Sequence, residues 1–259
     1  MTRRRFQLHP AYTSLRPFLH ALPEHFLTRG TVLTAERNVV KAFDLPEGLH
    51  IVVKRYRVPH LVPRLAYSLG RRSKARRAYE FALRLPALGI DTPAPVGYIE
   101  ERNGWGLFSL SYFACLSDAR PSLWDLYQPD LPRRSELIEA FAAFLVNAHH
   151  KGFLHGDLNL SNILYDTDEQ GRFRFAVIDT NRSRFIPQPG RRRCLRNLVR
   201  ISHDRALLSN IVRAYARLRQ WDAEACEQFV MTRLTHFERR DNAKHRLTGR
   251  LNQRAGNAS

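Results

Sequence analysis

The residues of this sequence best suited to chemistry are two aspartates and an asparagine set among apolar neighbours. In the segment 154–165 (LHGDLNLSNILY), Asp157 is followed five positions later by Asn162, and further on Asp179 closes the apolar run 175–178 (FAVI). Transfer of a phosphoryl group needs a carboxylate that orients the acceptor hydroxyl and takes its proton. It also needs oxygen ligands that hold Mg²⁺ on nucleotide phosphates. These three residue types supply both. Upstream, Lys54 ends the apolar stretch 51–54 (IVVK). A lysine there needs a counter-charge, because burying it unpaired is costly. Glu80 is the natural candidate, being the only acidic residue between Glu47 and Asp91. Taken singly, Lys54 could be an edge-strand lysine whose stem covers apolar surface, and Glu80 a solvated helix residue. Their order with the downstream segment argues for the joint reading.

The elements that must position these residues follow from the apolar spacing. Short strands are expected at 31–34, 38–43 and 50–56, the last two joined by a turn at 44–48. A helix over 73–85 carries Ala75, Ala78, Tyr79, Ala82 and Leu85 on one side. Strands at 96–100 and 105–113 come next. After a linker at 117–121, Ser135 is expected to cap a helix running to about His150, where His149 and His150 complement the C-terminal dipole. Two strands, 163–165 and 173–178, are followed by helices over about 194–220 and 223–240. The expected organisation is an N-terminal extension (1–29), a strand-rich lobe (30–116), a helical lobe (117–248) and a polar tail (249–259).

The composition narrows the class. The chain has 259 residues, 44% hydrophobic and 25% charged, and three scattered cysteines (Cys115, Cys194, Cys226). That is a globular composition with neither a disulfide framework nor a zinc-ligand spacing. The sequence has no transmembrane-length apolar run and no signal-like start, so a reducing, cytoplasmic setting is expected. The formal net charge is +18, unevenly spread. Residues 1–80 hold 16 Lys and Arg against 5 Asp and Glu, residues 81–180 hold 8 against 13, and residues 181–259 hold 18 against 6. Basic flanks suit a polyanionic partner such as a phosphorylated glycolipid or an anionic membrane surface, or else form a solvated basic surface. No nucleic acid is expected, because no aromatic-rich recognition motif accompanies the charge.

The spacing of Asp157, Asn162 and Asp179 matches the kinase catalytic loop and metal-binding aspartate. More narrowly, the sequence resembles the bacterial lipopolysaccharide kinases of the Kdo/heptose kinase type. The likeness runs over about residues 30–240 and rests on Val52 to Lys54, the 73–80 helix (SKARRAYE), 92–95 (TPAP), His155 to Asp157 with Asn162, and Ile178 with Asp179. It implies an α+β, two-lobed protein-kinase-like fold, with a small antiparallel sheet and one key helix in the N-lobe and a shortened, mainly helical C-lobe. In that template Asp157 is the base, Asn162 and Asp179 hold Mg²⁺, Lys54 contacts the α- and β-phosphates of ATP with Glu80 as its partner, and His155 is structural. The implied reaction is ATP-dependent phosphorylation of an inner-core sugar hydroxyl, with the protein cytoplasmic or peripheral at the inner membrane.

The departures from the pattern also carry information. The loop 34–39 (TAERNV) has no glycine, Gly156 stands where regulated kinases carry an arginine, and Asp179 is followed by Thr180 and Asn181 in place of Phe-Gly. These features favour a constitutively active glycolipid or small-molecule kinase over a regulated protein kinase, and leave a pseudokinase scaffold as the non-enzymatic alternative. For the acceptor, the basic candidates are Arg64, Arg71 and Arg72 beside a Leu61, Leu65, Leu69 stripe, then Arg182, Arg184 and Arg191 to Arg193. The bland alternatives are lobe packing for the stripe and a solvated loop for residues 191–193.

Overall fold

Alternation in the strand that carries Lys54 sets the architecture. Along Leu49–Tyr56 (β4), Ile51 and Val53 are fully buried in one cluster, while Tyr56 is buried in another with Ala75, Tyr79 and Tyr98. Successive side chains of a strand point to opposite faces, so β4 is covered on both sides and Lys54 shares the face of Tyr56. A computed structural model describes residues 2–35, 38–58, 61–68 and 70–256. The chain divides into two compact units, 1–121 with 155–157 and 162–183, and 122–154 with 158–161 and 184–259.

The first unit is built on a six-stranded antiparallel sheet. Arg3–Leu8 (β1), Thr31–Thr34 (β2), Val39–Leu45 (β3), β4, Pro95–Arg102 (β5) and Phe108–Leu116 (β6) lie in the order β1-β5-β6-β4-β3-β2. The 3–28 segment is part of this body. β1 pairs with β5, and Arg16–Thr28 (α1) buries Leu19, Leu22 and Phe26 against Phe43, Ile51, Val53 and Ile99. Each such side chain withdrawn from water contributes about 1.5–3 kcal/mol. Gly97 permits the close pairing, since a Cβ there would sit 2.5 Å from the carbonyl oxygen of Gln7. A short helix, Leu61–Ser68 (α2), precedes Lys74–Arg84 (α3) on the opposite face of the sheet. Ser73 caps α3 by accepting from the Arg76 N–H at 3.1 Å.

The second unit is mainly helical. Arg134–His150 (α4) is followed by a two-residue strand, Phe153–Leu154 (β7). The hairpin Ile163–Thr167 (β8) and Phe173–Val177 (β9) returns to the first unit, where Thr92 Oγ1 donates to the Val177 carbonyl at 2.7 Å. Arg184–Phe185 (β10) pairs with β7, and Arg191–Leu198 (α5), Arg205–Leu218 (α6) and Ala223–Gly256 (α7) complete the chain. Three expectations shift here. α4 starts at Arg134 after a left-handed Arg133, with no side-chain cap, so Ser135 lies inside it. The single helix expected over 194–220 is two helices, because Asp204 caps a new one by accepting from the Leu207 N–H at 3.0 Å. The segment 249–256, expected as a polar tail, continues α7.

His149 does not complement the dipole of α4. It is 1% exposed, with Nδ1 2.8 Å from the Tyr215 hydroxyl and Nε2 3.0 Å from Asn197 Oδ1. Burial pushes its pKa down to about 4, so the ring is neutral.

Candidate active site

Lys54, Glu80, Asp157, Asn162 and Asp179 all belong to the first unit. The β8–β9 hairpin brings three of them to one end, since Ile163 is in register with Val177, one residue from Asn162 on one strand and two from Asp179 on the other. The Ile178 N–H donates to the Asn162 carbonyl at 3.0 Å, and Asn162 Nδ2 donates to the Asp157 carbonyl at 2.9 Å. His155 ties the same strand end to the loop. Its Nε2 is 2.8 Å from the Ile178 carbonyl, and its Nδ1 accepts from the Asp157 N–H at 3.2 Å. These partners assign the neutral Nε2–H tautomer, and burial lowers the pKa of the ring in the same sense. Both nitrogens are engaged by backbone, as a loop-positioning residue requires.

Asp179 has a left-handed backbone, with φ 54° and ψ 45°, and caps a 3₁₀ turn, Thr180–Arg182. Its Oδ2 lies 2.7 Å from Lys54 Nζ, and Asn181 Nδ2 donates to its Oδ1 at 2.5 Å. Lys54 Nζ also lies 5.6 Å from the centre of the Tyr56 ring. The Tyr56 hydroxyl is held well above its ordinary pKa by burial first and by the Asp179 charge second, so it stays protonated beneath the ion pair.

The counter-charge of Lys54 is therefore Asp179 and not Glu80. Glu80 accepts from Arg76 Nε at 2.7 Å, one helical turn away, and lies 3.1 Å from Arg72 Nη1 without hydrogen-bond alignment. Two guanidinium groups from its own helix and the chain just before it balance the Glu80 charge locally, and an i,i+4 pair needs no tertiary adjustment.

Two further residues, Arg182 and Asn181, lie against these aspartates. Arg182 Nη1 is 3.2 Å from Asp157 Oδ2, so this arginine, expected among the acceptor-binding residues, faces the aspartate. Asn181 is the buried donor to Asp179. Gly156 has a positive role too. A Cβ there would lie 1.9 Å from the Arg182 carbonyl oxygen, a contact no side chain tolerates. Only long-range packing reveals these relationships, although the buried pattern of 180–183 reflects them.

Other basic candidates are also committed. Arg64 Nε donates to the Phe108 carbonyl at 2.7 Å, and Arg71 lies 6.0 Å from the Tyr67 ring centre. Arg191 opens α5 instead of a loop, packing 5.5 Å from the Trp221 ring centre and 3.4 Å from Cys226 Sγ. Arg184, Arg192 and Arg193 are exposed. The side chains of Leu61 and Leu65, and Leu69, Glu36 and Arg37 entirely, lie outside the described residues.

The Asp179 carboxylate and the Asn162 amide oxygen would be hard donors of the kind that suits Mg²⁺ and not a soft metal. Among the described residues no group of three or more His, Cys, Asp and Glu is placed to cage a metal by itself. Mg²⁺ fits such a site, because it commonly takes one or two protein ligands and completes its shell with phosphate oxygens and water.

Residues 34–230 match the model of the lipopolysaccharide kinase (Kdo/WaaP) family. The chain belongs to that family. It is accordingly a kinase, an enzyme of the lipopolysaccharide core, with ATP as the phosphoryl donor that kinase membership implies. Among solved structures it is similar to WaaP in complex with acyl carrier protein, at 19% identity and a TM-score of 0.60, covering 90% of this chain and 98% of that one. The protein-kinase-like fold follows from this likeness. The Rio2 kinase–ADP/Mg²⁺-phosphoaspartate complex from Chaetomium thermophilum also aligns, at 15% identity and a TM-score of 0.48, covering 83% of this chain and 67% of that one. No curated protein sequence matches it. Among the described residues no helix of this lipopolysaccharide kinase family member is long and apolar enough to cross a membrane.

Proposed function

We propose that this enzyme transfers the γ-phosphoryl group of ATP to a sugar hydroxyl of the lipopolysaccharide inner core, on Kdo or heptose, at the cytoplasmic face of the inner membrane. The observation that carries this reading is the convergence of Asp157, Asn162 and Asp179 at one end of the β8–β9 hairpin in a chain of this family.

Asp157 receives the proton of the acceptor hydroxyl as its oxygen bonds to the γ-phosphorus and the bond to the β,γ-bridging oxygen breaks, releasing ADP. Arg182 fixes the direction of the Asp157 carboxylate. Lys54, carried on the buried strand β4, supplies the ammonium for the α- and β-phosphates, and its contact with Asp179 keeps it at the hairpin end. Asn162 and Asp179 are the residues that would hold Mg²⁺. Bound there, the ion would neutralise charge on the nucleotide phosphates. Glu80 orders α3 through its arginines and does not set the Lys54 ammonium.

The test is transfer from labelled ATP to lipopolysaccharide precursors that lack inner-core phosphate, run beside a generic protein substrate. Label is expected in the glycolipid. Asp157→Asn should lose about 10²–10⁴ of that rate while Mg-ATP binding stays within a few-fold. Label appearing on the protein substrate and not on the glycolipid overturns the acceptor assignment, and near-normal turnover by Asp157→Asn removes the base.

A further inference from the structure

One face of the second unit gathers basic side chains around a groove. Arg196 and Arg200, at the end of α5 and just beyond it, line an open groove of about 410 Å³ together with Arg233, His236 and Arg240 of α7. A second hollow farther back on α7, lined by Phe229 and Thr232, shares Arg233 and His236. Among the described residues Asp241 is the only carboxylate in the lining, and it has an interaction partner of its own. Glu238, nearby on α7, is already engaged by His203 at 3.1 Å and Arg205 at 2.7 Å. Arg196, Arg233 and Arg240 have no carboxylate within ion-pair reach among the described residues.

An aromatic ring lines each hollow, Phe237 the groove and Phe229 the second one. The Arg233 guanidinium lies 4.8 Å from the Phe229 ring centre, and that of Arg200 5.0 Å from the Phe237 ring centre. Arg233, set against its ring, keeps its N–H edge for an anionic acceptor, and a planar fork of that kind matches phosphate oxygens. Arg196, Arg233 and Arg240, like charges gathered with no carboxylate in reach among the described residues, repel one another and do nothing for the fold. Their combination with rings is what a phosphate headgroup over acyl chains would meet.

We propose that this α5–α7 face binds the phosphate headgroups of an anionic membrane and holds the enzyme on it. The ligand is an extended surface and not a single small anion, for two reasons. The groove is open and shares Arg233 and His236 with the second hollow along the same helix. The chain after Asp241 contains no acidic residue but has Lys244, Arg246, Arg250 and Arg254, while α7 runs to Gly256. Vesicle binding needs neither ATP nor acceptor, so the inference stands or falls apart from the proposed function.

The experiment is co-sedimentation of the full chain with vesicles of phosphatidylglycerol in phosphatidylcholine, against vesicles of phosphatidylcholine alone. Binding to the anionic vesicles only, weakened by salt, is expected. Each basic residue near an anionic surface raises partitioning several-fold, so the triple variant Arg196→Gln, Arg233→Gln, Arg240→Gln should lower it about a hundredfold. A charge-matched control, Arg3→Gln, Arg5→Gln, Arg29→Gln in the first unit, should lower it far less. If the groove triple does not fold, as judged by thermal melting, the exposed single change Arg240→Gln should still weaken binding several-fold. Equal loss in the control, equal binding to neutral vesicles, or no loss in the groove variants overturns the proposal. So does release by millimolar inorganic phosphate at constant ionic strength, which would mark a small-anion site. Capture of an acidic acyl carrier protein through these arginines, with no vesicle binding, would assign the face to a protein and also overturn it.

Discussion

Arg182 and Asp157 face each other across 3.2 Å, although 25 positions separate them in the chain. The arginine is 40% exposed and the aspartate 17%, so the contact orients the carboxylate more than it stabilises the fold. Replacing Arg182 with Gln should therefore lower kcat about 10- to 100-fold, the cost of a misaimed reactive group, with the KM for ATP and the melting temperature nearly unchanged. Steady-state kinetics with varied ATP and acceptor check this. A change confined to KM would assign Arg182 to substrate binding instead.

The same arginine explains Gly156. A methyl group at 156 would overlap the Arg182 carbonyl, a backbone atom that cannot rotate away. Gly156→Ala should destabilise the protein by about 2 kcal/mol or more and reduce transfer, because the loop carrying Asp157 must move. Gly190, at the N-cap of α5, is the control. It has an ordinary φ of −66° and open space within 4 Å of an added Cβ, so Gly190→Ala should melt as the parent does. Thermal melting of the two variants decides the matter.

How much of this was legible in the sequence depended on whether the deciding interactions were local. The alternation of Ile51, Val53 and Lys54 and the helical spacing of Ala75, Ala78, Tyr79 and Ala82 placed β4 and α3 correctly, because strand and helix periods are properties of a few adjacent residues. The convergence of Asp157, Asn162 and Asp179 was legible as a motif. β1 was not, since Arg3 to Arg5 hide an edge strand whose inward side chains are Phe6 and Leu8. Nor was α1, with Pro17 and Pro23 in its sequence, which nonetheless forms because Leu19, Leu22 and Phe26 are buried against the sheet. The partner of Lys54 was misassigned for a related reason. Counting acidic residues finds Glu80 but cannot show that Arg72 and Arg76 reach it first, or that Asp179 arrives from 125 positions downstream.

That exchange of partners separates two variants. Glu80→Gln removes a half-exposed pair on α3 and should cost no more than about 1 kcal/mol of stability, with transfer within a few-fold of the parent. Asp179→Ala removes both the Lys54 counter-charge and the proposed Mg²⁺ ligand, and should abolish Mg²⁺-dependent nucleotide binding. Calorimetric titration with ATP, with and without Mg²⁺, compares them. A larger loss of affinity in Glu80→Gln than in Asp179→Ala would restore Glu80 as the functional partner of Lys54.

His149 gives the protein an acid-sensitive core. Its ring titrates at an ordinary value of 6.5 when unfolded and at about 4 when buried between Tyr215 and Asn197. The folded pKa is the lower one, so between these values the unfolded chain binds more protons. The stabilisation that the neutral ring provides is therefore complete above about pH 6.5, falls as the pH drops, and is fully lost below about pH 4. The loss amounts to roughly 3 kcal/mol at most. His155, also buried and lowered, adds a change of the same sign, so the two must be separated by mutation. His149→Gln should be less stable at pH 7, because it leaves Tyr215 and Asn197 imperfectly paired, yet its stability should fall less steeply between pH 6.5 and 4. Urea unfolding of both proteins at several pH values across that window measures the difference. Parallel curves would show that His149 is not the proton acceptor.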